Sequence, residues 1–146
     1  MKPLNKFTMT MDSRSANEGF ARLVASGFLA QLDPTVEELC DLKTAVSEAV
    51  TNCIVHAYPD GVGNIYISAA VYDSGLFRIR IRDKGCGIED VRQAMEPLYS
   101  SLGGERAGLG FAVMESFCDK ISVRSTLGKG TSVTLDKHIN GKPLAD

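Results

Sequence analysis

Hydrophobic and polar positions alternate over residues 6–12, with Phe7, Met9 and Met11 on one side, the period-two pattern of a half-buried strand. The period then changes. Phe20, Leu23, Val24, Phe28 and Leu32 recur at helical spacing, and Ser15 with Glu18 three residues later predicts a capping box at the start of that helix. Asp33-Pro34 supplies a capping carboxylate and a proline at the first helical position for a second helix, running to about Ala57. Wound on a helix, Leu39, Leu42, Val46, Ala49, Val50, Cys53, Ile54 and Ala57 fall on one broad arc, the core face. Residues 64–73 and 77–83 read as paired strands joined by a turn at Asp73-Ser74-Gly75. A short helix over 89–95 stops before Pro97, and a helix over 110–119 follows the Gly103-Gly104 loop. Strands over 121–126 and 131–136 close a hairpin around Leu127-Gly128-Lys129-Gly130. This order predicts an α/β (α+β) two-layer sandwich, a mixed, mostly antiparallel sheet with helices on one face. No repeat or linker divides the chain, so one domain is expected over residues 1–146.

Composition narrows the functions. Apolar residues make up 44% and charged residues 23%, ordinary for a globular domain. The formal net charge of -2 disfavours nonspecific attraction to nucleic acid, which needs excess Lys and Arg. No apolar run approaches the roughly 20 residues that span a bilayer, and the opening residues alternate and include an Asp, unlike a secretory signal. A cytoplasmic protein with no membrane or direct nucleic-acid partner is the expectation. Cys40, Cys53, Cys86 and Cys118 are widely spaced, which predicts reduced, mostly buried thiols and no zinc or disulfide framework.

The candidate chemistry begins on the second helix. Glu48, Asn52 and His56 lie at i, i+4 and i+8, one stripe away from the core arc. Such a stripe is usually just a solvated face, but a carboxylate and an amide one turn apart can also hold a base beside a Mg²⁺ ligand. After the strand over 77–83, Asp83-Lys84-Gly85-Cys86-Gly87 offers a carboxylate for an exocyclic amine and glycines that let backbone approach a flat ligand. It also suits a plain turn. Gly103-Gly104-Glu105-Arg106-Ala107-Gly108-Leu109-Gly110 opens a helix, where free N–H groups and Arg106 suit an anion. The spacing is neither a Walker A loop nor the strand-linked G-x-G-x-x-G of a dinucleotide fold. Gly128-x-Gly130-Thr131 fits a tight hairpin turn.

In this order the elements resemble the GHKL ATPase superfamily of histidine-kinase catalytic domains, Hsp90, gyrase B and MutL. Glu48-x-x-x-Asn52 matches the N box, Asp83-x-Gly85-x-Gly87 the G1 box, Gly108-x-Gly110 the G2 box and Gly130-Thr131 the last box. Arg22, the run 30–35, the run 46–52 and the run 96–101 are similar to the anti-sigma F factors of endospore-forming bacteria. The chain has Ser100-Ser101 where that family often has Thr-Thr, and Lys84 where an acidic residue is common.

The resemblance implies a Bergerat-type ATP site. Asp83 would read the adenine amine, with Gly85, Gly87 and Thr131 around it, and Asn52 would hold Mg²⁺. Ser100, Ser101, Arg106, Gly108, Leu109 and Gly110 would take the phosphates beneath a lid over 101–107. Glu48 would be the base in a protein serine kinase. The resemblance further implies a homodimer, with ATP or ADP and Mg²⁺ bound. Its partners would be a sporulation sigma factor, contacted through Arg22, and an anti-anti-sigma factor that accepts phosphate on serine. A stress-response-type switch kinase for another sigma factor and a nucleotide-gated binding module without catalysis are the alternatives. No helical hairpin with a phosphoacceptor histidine is present, so a complete histidine kinase is not expected.

Overall fold

The computed structural model describes residues 2–95 and 104–141, with backbone alone over 104–109. The chain runs β1 (Asn5–Asp12), α1 (Ala16–Leu29), α2 (Val36–Asn52), β2 (Asn64–Val71), β3 (Leu76–Asp83), α3 (Val91–Ala94), α4 (Gly104–Phe117), β4 (Lys120–Thr126) and β5 (Gly130–His138). A single 3₁₀ turn, Ala30–Leu32, follows α1, and a π-helical turn, Cys53–Ala57, continues α2. The strands form one sheet in the order β1-β2-β3-β5-β4. A mixed sheet was expected, but every pairing among the described residues is antiparallel.

Strand register sorts the side chains into two layers. Phe7, Ala69, Ile79, Leu135 and Ile121 stand in one cross-strand row, and Met9, Ile67, Ile81, Val133 and Val123 in the next. Successive strand residues point to opposite faces, so these rows meet the helices while Ser68, Arg78, Arg80 and Arg82 face away. Ile65, Ile67, Phe77, Ile79, Ile81 and Leu135 pack with Leu29, Leu42, Val46, Val50, Phe111 and Met114 into one buried core. On the other face, Asp136 accepts two hydrogen bonds from the Arg78 guanidinium, at 2.7 and 2.9 Å. Arg82 and Lys84 both lie over the Tyr66 ring.

α2 carries the predicted core arc, with Leu42, Val46, Ala49, Val50, Cys53 and Ala57 buried. Its start differs from expectation. Thr35, not Asp33, is the N-cap, and Thr35 and Glu38 exchange reciprocal capping-box hydrogen bonds. Asp33 instead takes a left-handed conformation, φ 54°, at the end of the 3₁₀ turn, where a short polar side chain is tolerated. The expected Ser15 cap of α1 is also absent: Ser15 is already helical and its side chain caps nothing. Asn17 Nδ2 fastens that corner by donating to the Asp12 carbonyl. The large apolar residues expected in the α1 core face divide. Phe28 packs edge-on against Phe7, whereas Phe20 and Leu23 are exposed and Ala21, Ala25 and Leu29 are buried.

Candidate functional site

α2 brings Glu48 and Asn52 to the side that meets α4. There Gly110 leaves no room to spare: a Cβ on it would sit 3.1 Å from Glu48 Oε2 and 3.5 Å from both amide atoms of Asn52. A glycine in mid-helix costs roughly 1 kcal/mol relative to alanine. Here it lets α4 close on the two polar side chains. Both are half-buried, so the stripe is not a freely solvated face. Asn52 Nδ2 is buried with no hydrogen-bond partner among the described residues. Leaving such a group unpaired costs about 1–3 kcal/mol, as befits a side chain shaped to meet a ligand. The carbonyl and carboxylate oxygens are hard donors of the kind Mg²⁺ takes, with phosphates and water completing its shell.

Beyond Asn52 the helix widens. π turns arise from one extra residue in the helical ladder and often mark functional positions. The carbonyls of this turn are taken by the loop after β3: Cys86 N donates to Ala57 O at 3.0 Å, and Cys86 Sγ donates to His56 O at 3.1 Å. Gly85 permits that approach, since any Cβ there would collide with the Ala57 carbonyl. The hairpin turn reaches the same loop, with Gly128 N donating to Cys86 O at 2.6 Å.

Asp83 ends β3 on the helix-covered face, in the cross-strand row of Met11 and Ile65. It is only 6% exposed. Oδ1 accepts from the N–H of Gly85 at 3.0 Å and of Thr131 at 3.2 Å. Oδ2 accepts from the Cys53 thiol at 3.5 Å. Burial pushes the Asp83 carboxyl above its ordinary range, against the pull of these three donors. Burial, then the neighbouring charge of Asp83, pushes the Cys53 thiol well up.

These parts enclose a cavity of about 740 Å³, within the usual span for a small-molecule site. Asn52, Cys53, His56, Asp83, Glu89, Asp90, Gln93 and Thr131 contribute its polar lining, and Ile81, Ile88, Val91, Ala94 and Phe111 its apolar walls. Thr131 is steadied by Ser125, whose hydroxyl lies 2.8 Å from Thr131 Oγ1 and receives the Ile88 N–H at 2.7 Å.

The structure therefore brings together Glu48, Asn52, Asp83, Gly85, Gly87, Gly110 and Thr131. Arg22 lies apart on α1, paired with Glu18 at 3.4 Å. Ser100 and Ser101 fall outside the described residues, as do positions 101–103 of the expected lid. Arg106, Gly108 and Leu109 lie on α4, of which only the backbone is described there. That helix begins at Gly104, six residues before the expected start at 110. Positions 104–107 are therefore helix, not loop. In an α-helix each N–H past the first turn donates to the carbonyl four residues back, so those of 108–111 are committed within the helix. Of the four free cysteines only Cys53 is buried, and Cys40 and Cys86 are exposed, contrary to expectation. Cys53 was expected on the core arc, but its contact with Asp83, like Ser125 and the π turn, has no signal in the sequence pattern. Asp83 itself carries a signal: the inward positions Phe77, Ile79 and Ile81 are continued by a carboxylate.

Comparison with known proteins places the chain in a family. The model of the histidine kinase-like ATPase domain matches residues 11–137. A Caldanaerobacter subterraneus protein named anti-sigma F factor is 53% identical over 92% of this chain and 94% of its own length. Proteins of that name from Priestia megaterium and Clostridium perfringens are 45% and 47% identical, each over more than nine-tenths of both chains. Among solved structures, the RsbU and RsbW domains of a Mycobacterium tuberculosis protein superpose with a TM-score of 0.70 at 22% identity, over 99% of this chain and 35% of that one. The histidine kinase domain of a blue-light activated kinase from Erythrobacter litoralis gives 0.56 at 21% identity, over 84% and 60%. At such identities these two likenesses speak for the fold alone. A nucleotide-binding, kinase-type ATPase domain is what the matched model implies, and the chain belongs to the anti-sigma F factor family.

Proposed function

We propose that this chain binds ATP in the cavity between α2, α3 and the end of β3, phosphorylates a serine of an anti-anti-sigma factor, and sequesters sporulation sigma factor F. The observation that carries the reading is Asp83, a buried carboxylate whose Oδ1 is fixed by two backbone N–H groups while the residue lines the cavity. A carboxylate accepts only, so it pairs with the amino group of adenine and meets the carbonyl of guanine unfavourably. The apolar walls of Ile88, Val91 and Ala94 suit the faces of a purine.

Glu48 and Asn52, one helical turn apart, face Gly110 in the middle of α4. Arg106 and the first N–H groups of α4 are the groups proposed to hold the terminal phosphates. Asn52 offers the oxygen that would hold Mg²⁺, and a bound Mg²⁺ would offset the phosphate charge. Glu48 accepts the proton of the incoming serine hydroxyl. The serine oxygen forms its bond to the terminal phosphorus as the bond to the bridging oxygen breaks and ADP leaves. Positioning does most of this work, so the acceptor is presented by the partner protein. Arg22 on α1 is the proposed contact for the partners, and two copies of the chain form the working unit.

Incubating the protein with γ-labelled ATP and each candidate partner tests the reading. Label should enter a serine of the anti-anti-sigma factor, and sigma factor F should co-purify with the protein when ATP is present. Binding of the sigma factor without any label transfer would replace the kinase by a nucleotide-gated binding module.

A further inference from the structure

We propose that Cys53 is a positioning residue for base recognition: its thiol, acting on Oδ2, helps to hold the plane of the Asp83 carboxylate that receives the adenine amine. The inference rests on the reading of Asp83 as the base reader. Cys53 opens the π turn, and its backbone N–H is shared between the carbonyls of Ala49 and Val50 where the helix widens. The side chain is 4% exposed, lines the cavity with Asp83, and reaches Oδ2 at 3.5 Å.

The second torsion of an aspartate is broad, so contacts determine where its oxygens lie. Gly85 and Thr131 both act on Oδ1. One torsion moves both oxygens together, so the Cys53 thiol on Oδ2 acts with these two donors to hold the plane of the group. The thiol suits this place. Its Sγ stands within hydrogen-bond distance of Oδ2, which can only accept, so the thiol is the donor. It is a weak donor with the character of a small hydrophobe, so it orients the oxygen, costs little to bury, and leaves the carboxylate its charge for the stronger amine donor.

Calorimetric titration of wild type, Cys53→Ala and Cys53→Ser with ATP and with purine riboside triphosphate, which lacks the amine, tests this. The wild type should prefer ATP. Cys53→Ala should bind ATP about fivefold more weakly, the scale of one modest hydrogen bond, and bind the amine-free nucleotide as the wild type does. That unchanged binding also reports that the variant is folded. Cys53→Ser restores a donor and should recover ATP affinity to within about twofold of wild type. If Cys53→Ala loses equal affinity for both nucleotides, Cys53 merely fills space and the proposal falls. If the wild type does not distinguish the two nucleotides, Asp83 does not read the amine, and that different pattern removes the base-reading role together with the role of Cys53.

Discussion

α1 and α2 pack side by side on the same face of the sheet, yet they use their apolar residues in opposite ways. α2 turns Leu42, Val46 and Val50 to the sheet and Asn52 to the cavity, with Glu48 one turn before it facing Gly110. α1 turns Ala21, Ala25 and Leu29 inward and leaves Phe20 and Leu23 at 49% and 69% exposure beside Arg22. An alanine-lined approach admits a helix close to its neighbour, so the larger side chains on the adjoining arc remain outside. The comparison separates two tasks. α2 carries groups suited to nucleotide, whereas α1 presents a mixed apolar and charged surface of the kind partners bind. Substitutions should therefore divide by helix.

The largest expected effect is on α2. Glu48→Gln keeps shape and polarity but cannot take a proton. Transfer of labelled phosphate under single turnover with saturating ATP should fall by at least ~10²-fold, the scale of a general base. ATP and sigma-factor binding should survive. Transfer at the wild-type rate would remove Glu48 from the chemistry.

Asp83→Asn, at the end of β3 beside the π turn that continues α2, should weaken ATP by roughly tenfold or more, because a donor then faces a donor. It should not cost stability in the same way. The folded carboxyl titrates above its unfolded value, so folding favours the protonated form. That contribution is present below the unfolded value and is lost as pH rises through the raised one. The melting temperature of Asp83→Asn relative to wild type should thus be most favourable near neutrality, and the difference should shrink as pH falls through that window. A difference independent of pH would mean that Asp83 pays no burial penalty in the fold.

The two helices also differ in how well they could be read from sequence. α2 was legible because branched and long apolar side chains mark its buried arc, and because Glu48 and Asn52 share a stripe by spacing alone. Its π turn was not, since one extra residue in the ladder leaves the apolar pattern through Ala57 intact. The core face of α1 was misplaced because Phe20 and Leu23 outweigh Ala21 and Ala25 in any reading by hydrophobicity, although the alanines are what the close approach requires. The strands were legible from their alternation, and Asp83 by its loop. The Cys53 and Ser125 contacts were not, because partners 30 and 6 residues away in sequence meet only through the folded sheet.

The reversal on α1 can be tested by stability. Ala25→Leu inserts bulk into a site 1% exposed and should cost about 1–3 kcal/mol. Leu23→Ala removes a larger apolar group from a site 69% exposed and should change stability by no more than about 0.5 kcal/mol. Chemical denaturation of both variants would show it, and equal losses would return Leu23 to the core.

The smallest effect is expected at Arg22. Its pair with Glu18 spans i,i+4 at 3.4 Å, and the Arg22 side chain is 44% exposed. Water screens such a pair, which contributes only about 0.3–0.5 kcal/mol. Arg22→Glu replaces attraction with repulsion against Glu18, a stability change of similar size. It leaves the cavity untouched, because α1 contributes no residue to its lining. Partner binding should respond more. A reversed charge at a polar rim slows association and alters its salt dependence. Sigma-factor affinity should drop by about fivefold, the equivalent of roughly 1 kcal/mol, with calorimetric ATP affinity unchanged. The loss should shrink at high salt, where screening reaches within a few ångströms. If both affinities stay at wild-type values, α1 is a structural helix with a charged rim, and the division of tasks between α1 and α2 does not hold.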